Sequence, residues 1–408
     1  TSMMCRSSWL GTLCMLRFLR PVLFVCGILV LIMAGLMLSV AVFAWWRQDP
    51  EMQVFLTSFA VTLGCGLAMV LGCRDKGFHL VSRQLYLLTS LSWVLLSLFG
   101  ALPLFFSHFQ LSAEDAVFEA VSGITTTGST ILSGIEHLAP SLLLWRSLLQ
   151  WIGGLGVIGM AVSILPFLRV GGMRLFHTES SDWSDKSIPR VQSLARMLVA
   201  TYLGLTVSCV FSYWLAGMNL FDAINHAMAT VSTGGFATDD RSMGRFPLEV
   251  LWVSILFMTL SALPFTLLIA FFRRPSLHVL NNQQVIGFLC IIGAVSLLLT
   301  ADLIDLHLAE PFEAFTQATF NLVSVITTTG FASADYTQWG TFSIALFFVV
   351  MFIGGCSGST SGGMKVFRFQ LSYLFLRSQI RKLIHPSGVF VTQYNGRPVQ
   401  DDIILSAV

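Results

Sequence analysis

Long apolar stretches separated by short polar ones dominate this chain. A membrane-crossing helix needs about 20 mainly apolar residues. Eight stretches approach or exceed that length, at residues 21–46, 52–73, 84–107, 147–168, 197–220, 246–272, 283–301 and 341–380. The first carries no charge between Pro21 and Trp46, and it is longer than a secretion-signal core of about 7–15 residues. If each stretch crosses once, most basic residues sort to one side, the opposite loops carrying only Arg47, Arg241 and Arg245. Arg17, Arg20, Arg74, Lys76, Arg83, Arg169, Arg174, Lys186, Arg190, Arg196, Arg273, Arg274, Arg377, Arg381 and Lys382 share the first side. The opposite loops hold Asp49, Glu51, Glu114, Asp115, Asp239, Asp240, Asp302, Asp305, Glu310 and Glu313. An excess of Lys and Arg marks the cytoplasmic side, so the pattern predicts eight crossings and a cytoplasmic amino terminus.

Composition agrees. Of 408 residues, 55% are hydrophobic and 11% charged, against about 25% charged in a soluble domain. So few charges cannot cover a water-facing surface, so most of it must face lipid. A net charge of +2 is too small to suggest a nucleic-acid partner. Cys5, Cys14, Cys26, Cys65, Cys73, Cys209, Cys290 and Cys356 are dispersed without a C-x-x-C pair. They read as small buried hydrophobes rather than a disulfide framework or a zinc site.

Three segments between the crossings share one pattern and align without a gap: DAVFEAVSGITTTG (115–128), DAINHAMATVSTGG (222–235) and QATFNLVSVITTTG (317–330). Each starts at a polar residue suited to a helix start (Asp115, Asp222, Gln317) and ends in a threonine–glycine cluster. About ten helical residues extend only some 15 Å, half a bilayer core. A half-crossing helix followed by irregular backbone is tolerated at membrane depth only where it lines a cavity. Its carboxyl end carries partial negative charge and favours a cation. Glycine there lets the chain turn its carbonyls inward, and several such loops around one axis can replace an ion's hydration shell. The fold class predicted is an all-α polytopic membrane protein with repeated helix–pore loop–helix units around a central pore, preceded by two extra transmembrane helices.

Two further glycine patterns differ in meaning. GGCSGSTSGG (354–363) has five glycines and four hydroxyl residues in ten positions. Each glycine costs a helix about 1 kcal/mol relative to alanine, so a continuous helix is not expected. Gly154, Gly156 and Gly159, with Glu179 beyond them, spell a dinucleotide fingerprint, but that fingerprint needs a strand before it. Here it lies inside an apolar stretch, where small residues serve helix packing. No paired aspartates, zinc motif or Ser–His set is present at membrane depth, so an enzyme is not expected. His226 stands alone in the second pore segment and reads as a packed or capping residue.

These residues resemble the superfamily of bacterial Trk and Ktr potassium transporters and their plant and fungal relatives. The resemblance rests on the three TTTG or STGG loops, on LLQWIGGLGVIGMAVSILPFLRVGGM (148–173), and on the leading pair of spans, which the Trk branch has and the Ktr branch lacks. It implies a leading helix pair (21–83), pore unit 1 (84–180), pore unit 2 (190–275), pore unit 3 (283–385), and the start of a truncated fourth unit (386–408), as in a fragment of a longer protein. It implies a selectivity filter for K+, the transported ion, at Thr126, Thr127, Gly128, Thr233, Gly234, Gly235, Thr328, Thr329 and Gly330. In the family, glycine at positions 128, 235 and 330 marks potassium selectivity, and serine in the first loop goes with sodium. A sodium-conducting or sodium/proton-coupled cation transporter is the alternative. The stretch 354–363, with Gly354, Gly355, Gly358, Ser359, Gly362 and Gly363, would be an intramembrane gate. Lys365 and Arg368 beyond it either repel cations or anchor the helix. The resemblance further implies a homodimer in the cell (inner) membrane, contacts with membrane lipid, and a cytoplasmic nucleotide-binding regulatory subunit (TrkA-like). No organic cofactor is implied.

Overall fold

The computed structural model describes residues 8–74, 81–163, 189–273, 281–385, 388, 392–395 and 397–399. The chain divides into two compact units, one of residues 1–125 with 129–149 and the other of residues 126–128 with 150–408.

The first unit holds α1 (Ser8–Arg47), α2 (Met52–Gly72), α3 (Ser82–Phe105), α4 (Ala113–Ile124) and the beginning of α5 (Pro140–Ser163). Helices α1 and α2 run close together because glycine opens each surface. A Cβ on Gly27 would lie 2.9 Å from the Met69 Cβ, and one on Gly66 would lie 2.8 Å from Leu31. Small residues allow this approach where lipid offers no hydrophobic drive between helices. Buried carboxylates in the unit accept backbone donors, although Glu51 Oε2 has no hydrogen-bond partner among the described residues. Asp49 accepts the Ser141 amide at 3.0 Å, and Glu51 accepts the His108 amide at 3.1 Å. The fully buried Arg146 donates to Glu119 at 2.7 Å, and both hold the Thr130 hydroxyl.

The second unit holds the rest of α5, α6 (Pro189–Leu215), α7 (Leu220–Val231), α8 (Leu248–Ser261), α9 (Phe265–Arg273), α10 (Gln283–Asp305), α11 (Pro311–Ile326), α12 (Thr341–Val350) and α13 (Val366–Ile384). Its core is a continuous aromatic and aliphatic cluster that includes Tyr202, Tyr213, Phe265, Phe288 and Phe320. Two short β pairs complete it. Strand β1 (Ile353–Gly354) lies parallel to β2 (Met364–Lys365), and β3 (Gln393–Tyr394) antiparallel to β4 (Arg397–Pro398).

The chain is a predominantly helical, multi-pass membrane protein of the all-α class. Among the described residues six helices are long and apolar enough to cross, or seven if α8 and α9 count as one. The sequence predicted eight, and both departures have physical causes. The stretch 246–272 bends by 100° between α8 and α9, where Pro264 has no amide to continue the helix. The stretch 341–380 splits into α12 and α13 around the glycine-rich segment; ten residues of α12 rise only about 15 Å. The fourth stretch begins at Pro140 rather than 147, because proline suits a first helical turn. Cys65 and Cys290, expected to be buried, are exposed. Arg169, Arg174, Lys186 and most of 386–408 lie outside the described residues.

Candidate functional site: three threonine–glycine loops

Each short helix starts earlier than its sequence pattern suggested. Ser112 caps α4 and Asn219 caps α7, accepting the amides of Asp115 and Asp222. Pro311 occupies the first turn of α11, six residues before Gln317. The aspartates therefore sit three residues inside the cap, where a carboxylate complements the amino-terminal dipole.

The helices end alike. The residue that leaves each helix left-handed is a threonine: Thr126, Thr233 and Thr328, with φ of 56°, 52° and 56°. In the second and third copies the closure is a Schellman motif. The Gly234 amide donates to Ala229 O at 2.8 Å and the Thr233 amide to Thr230 O at 3.1 Å, while Thr329 and Thr328 repeat this on Ser324 and Val325. Glycine is usual at this position, and a left-handed L-residue costs about 1–2 kcal/mol. Three β-branched residues are held there against that cost. Two residues on, Gly128, Gly235 and Gly330 are left-handed again, with φ of 80°, 79° and 85°. Alternation of hand turns successive peptide groups toward one side.

The structure brings these loops together. A Cβ on Gly128 would fall well inside 3.0 Å of the Gly234 carbonyl oxygen, and one on Gly235 equally close to that of Thr329. Residues 234 and 329 are repeat-equivalent, so each contact is the same contact made one loop further on. The Gly234 carbonyl, expected to be free for an ion, also accepts the Gln150 amide at 2.6 Å.

Behind the loops, hydroxyls hold the exiting chain. Ser122 donates to the Ser129 carbonyl and Ser324 to the Phe331 carbonyl, both at 2.6 Å. His226 is a packed residue, as expected: its Nδ1 lies 2.9 Å from the Asp222 carbonyl, and its ring meets Phe246 and Phe331.

The glycine-rich segment 354–363 is non-helical and closes through the β1–β2 pair. It fills the break between α8 and α9. The Cys356 amide donates to Ala262 O at 2.9 Å, the Phe265 amide donates to Gly358 O at 3.0 Å, and the Thr360 hydroxyl donates to Ser261 O at 3.1 Å. Backbone groups freed by the bend at Pro264 thus find partners in the segment. Gly358 and Gly363 are left-handed at φ 76° and 68°. A Cβ on Gly354 would collide with the Gly362 carbonyl, and one on Gly355 would lie 2.5 Å from the Ser361 hydroxyl. The Ser359 hydroxyl donates to Cys356 O at 2.6 Å. The segment also touches the third loop, where the Gly362 amide donates to Thr328 Oγ1 at 2.6 Å. Of the two reserved cations, Lys365 bonds the segment itself, reaching the carbonyls of Ser361 and Gly362.

The family model described as TrkH, cation transport protein, matches residues 51–407. The chain belongs to this family. Among its relatives, the Trk system potassium uptake protein TrkI of Halomonas elongata is 47% identical over 395 residues, covering 96% of this chain and 80% of that protein. The Trk system potassium uptake protein TrkH of Escherichia coli K12 is 35% identical over 393 residues, covering 94% and 81%. Among solved structures, the potassium transporter TrkH from Vibrio parahaemolyticus matches with a TM-score of 0.87 at 34% identity, covering 95% of this chain and 81% of that one. The family is one of transporters, so the chain is not an enzyme. Two features were missed from sequence. The left-handed threonines carry no local signal, because threonine is a poor choice for that conformation. Gln150 lies far from the loop it touches.

Proposed function

We propose that the protein takes up potassium across the cell membrane, with the three threonine–glycine loops as its selectivity filter. The observation that carries this reading is the contact of like loops: Gly128 against the carbonyl of 234, Gly235 against that of 329. Three copies of one strained backbone in contact suit a site that replaces hydration by carbonyls. Thr126, Thr127, Thr233, Thr328 and Thr329 supply carbonyls; Gly128, Gly235 and Gly330 supply the turns. Gly234 keeps one carbonyl lone pair, since an sp2 oxygen has two. The carboxyl ends of α4, α7 and α11 add negative potential. An inside-negative potential drives entry with about 2.3 kcal/mol per charge per 100 mV.

The segment 354–363 serves as the gate in this reading, its tie to Thr328 linking it to the filter. The units at 84–180, 190–275 and 283–385 are pore units, and the amino terminus is cytoplasmic. A homodimer in the inner membrane, bound by a cytoplasmic nucleotide-binding subunit, follows from the family resemblance. The test is radioactive rubidium uptake into liposomes carrying the protein, with and without that subunit, competed by K+ and by Na+. Block by K+ at much lower concentration than by Na+ is expected. Equal block by both sinks the potassium assignment, and absence of uptake under every condition sinks transport.

A further inference from the structure

The second loop is built differently from the other two. In copies one and three a serine of the short helix (Ser122, Ser324) ties the chain just beyond the glycine. The equivalent residue in copy two is Ala229, which has no hydroxyl. The residue before the last glycine is Thr127 in copy one and Thr329 in copy three, but Gly234 in copy two. One side chain accounts for both departures. Gln150, fully buried on α5, donates its amide to the Gly234 carbonyl at 2.6 Å and accepts the Phe236 amide at 3.1 Å. It bridges the loop across Gly235, holding the Phe236 amide where the serines of the other copies hold the carbonyl of the equivalent residue. Its carboxamide also occupies the space a side chain at 234 would need, since a Cβ there would lie 2.6 Å from Gln150 Oε1 and 2.8 Å from Nε2.

The rejected dinucleotide pattern finds its role here. Gly154 lies one turn along α5 from Gln150, on the same face. A Cβ on it would be 2.8 Å from the Ser232 Cβ and from the Tyr202 hydroxyl. Glycine at 154 lets α5 approach the end of α7 closely enough for Gln150 to reach the loop.

We infer that Gln150 is a positioning residue for cation discrimination: it sets the second loop from outside its own repeat, and it is the reason that residue 234 is glycine. The inference rests on the filter reading above. Gly234 has no left-handed φ, so alanine there meets no backbone penalty, and threonine occupies both equivalent positions. The three atoms nearest a Cβ at 234 all belong to the Gln150 carboxamide, which Gly234→Ala would push off its two bonds. Gly234→Ala and Gln150→Ala should therefore cause the same defect, and the double variant should be no worse than either.

The experiment measures the concentrations of K+ and Na+ that half-block rubidium uptake by the wild type, Q150A, G234A, Q150A/G234A and Q150A/A229S. Each single substitution is expected to lower K+ preference about tenfold, with the double equal to the singles. Ala229→Ser, which gives copy two the tie used by the others, should restore part of the preference in Q150A. Wild-type preference in G234A, or defects that multiply in the double, would overturn the inference. If Q150A does not elute as a single folded species, Q150E replaces it; that variant keeps the acceptor for Phe236 and loses the donor to Gly234, and unchanged preference in it is equally fatal. Gly128→Ala separates the two levels of argument. A change there without one in G234A removes only the role of Gln150, whereas no change in either removes the filter reading as well.

Discussion

Serine in place of Gly128 should convert a potassium-preferring protein into one that admits sodium, and the structure says why the hydroxyl is irrelevant. At φ 80° any L-residue costs about 1–2 kcal/mol. Its Cβ would also enter the space of the Gly234 carbonyl, whose carbon lies 3.2 Å from that point. That peptide must move away, and the move strains or breaks its bond from Gln150, worth about 0.5–1.5 kcal/mol. Together the two effects reach about 1.5–3.5 kcal/mol, expressed as a wider and less defined ring. At 1.4 kcal/mol per factor of ten, discrimination should fall by roughly 10- to 300-fold. Half-blocking concentrations of K+ and Na+ against rubidium uptake give the ratio directly. The reasoning also requires Gly128→Ala to match Gly128→Ser, because both place the same Cβ. An alanine variant with normal preference beside a serine variant that has lost it would refute the steric account and favour direct coordination by the hydroxyl.

Other outcomes follow from groups already described. Replacing Arg146 by Met leaves the buried Glu119 charge without its partner, and breaking such a pair costs about 3–5 kcal/mol; thermal unfolding in detergent should show a large drop, part of it recovered by adding Glu119→Gln. Replacing Lys365 by Met removes the ammonium that holds the Ser361 and Gly362 carbonyls. Hydrogen bonds to charged groups are worth about 1.5–3 kcal/mol, so uptake without the regulatory subunit should rise about tenfold or more, and an unchanged rate argues against 354–363 as a gate. Burial raises the Asp239 carboxyl, but the amide and guanidinium of Arg241 and the guanidinium of Arg245 outweigh it and hold it below the usual carboxylate range. Its stabilisation is thus complete above about pH 4 and is lost as pH falls through the depressed value. Asp239→Asn should lower stability modestly at pH 7, by about 1 kcal/mol or less, with the difference shrinking as the pH falls and gone below the depressed value.

The helices and the threefold repeat were legible because both are carried by local pattern: apolar length for the crossings, a gapless fourteen-residue match for the loops. Helix starts were read late because the cap is a single polar residue, Ser112 or Asn219, that the repeat does not share with the third copy. The two broken stretches, at Pro264 and at 354–363, kept enough apolar character to look continuous, and only the composition of the second betrayed it. The placing of Gln150 against Gly234 was invisible for another reason. It joins residues 84 positions apart, and nothing in either neighbourhood encodes the other. The replacement of Thr by Gly and of Ser by Ala in the middle repeat was on view all along, but reads as drift until the glutamine is seen in the gap.

Contact between the loops has a direction. Gly128 receives a carbonyl of loop two, and Gly235 receives one of loop three. This is a head-to-tail contact between unlike surfaces, the heterologous kind that builds rings of subunits, here made within one chain. Damage therefore does not stay where it is introduced. A side chain added at 128 displaces loop two, and one added at 235 displaces loop three, so substitutions at these two glycines will register one repeat downstream of their address, whereas a Cβ on Gly330 meets nothing within 4 Å.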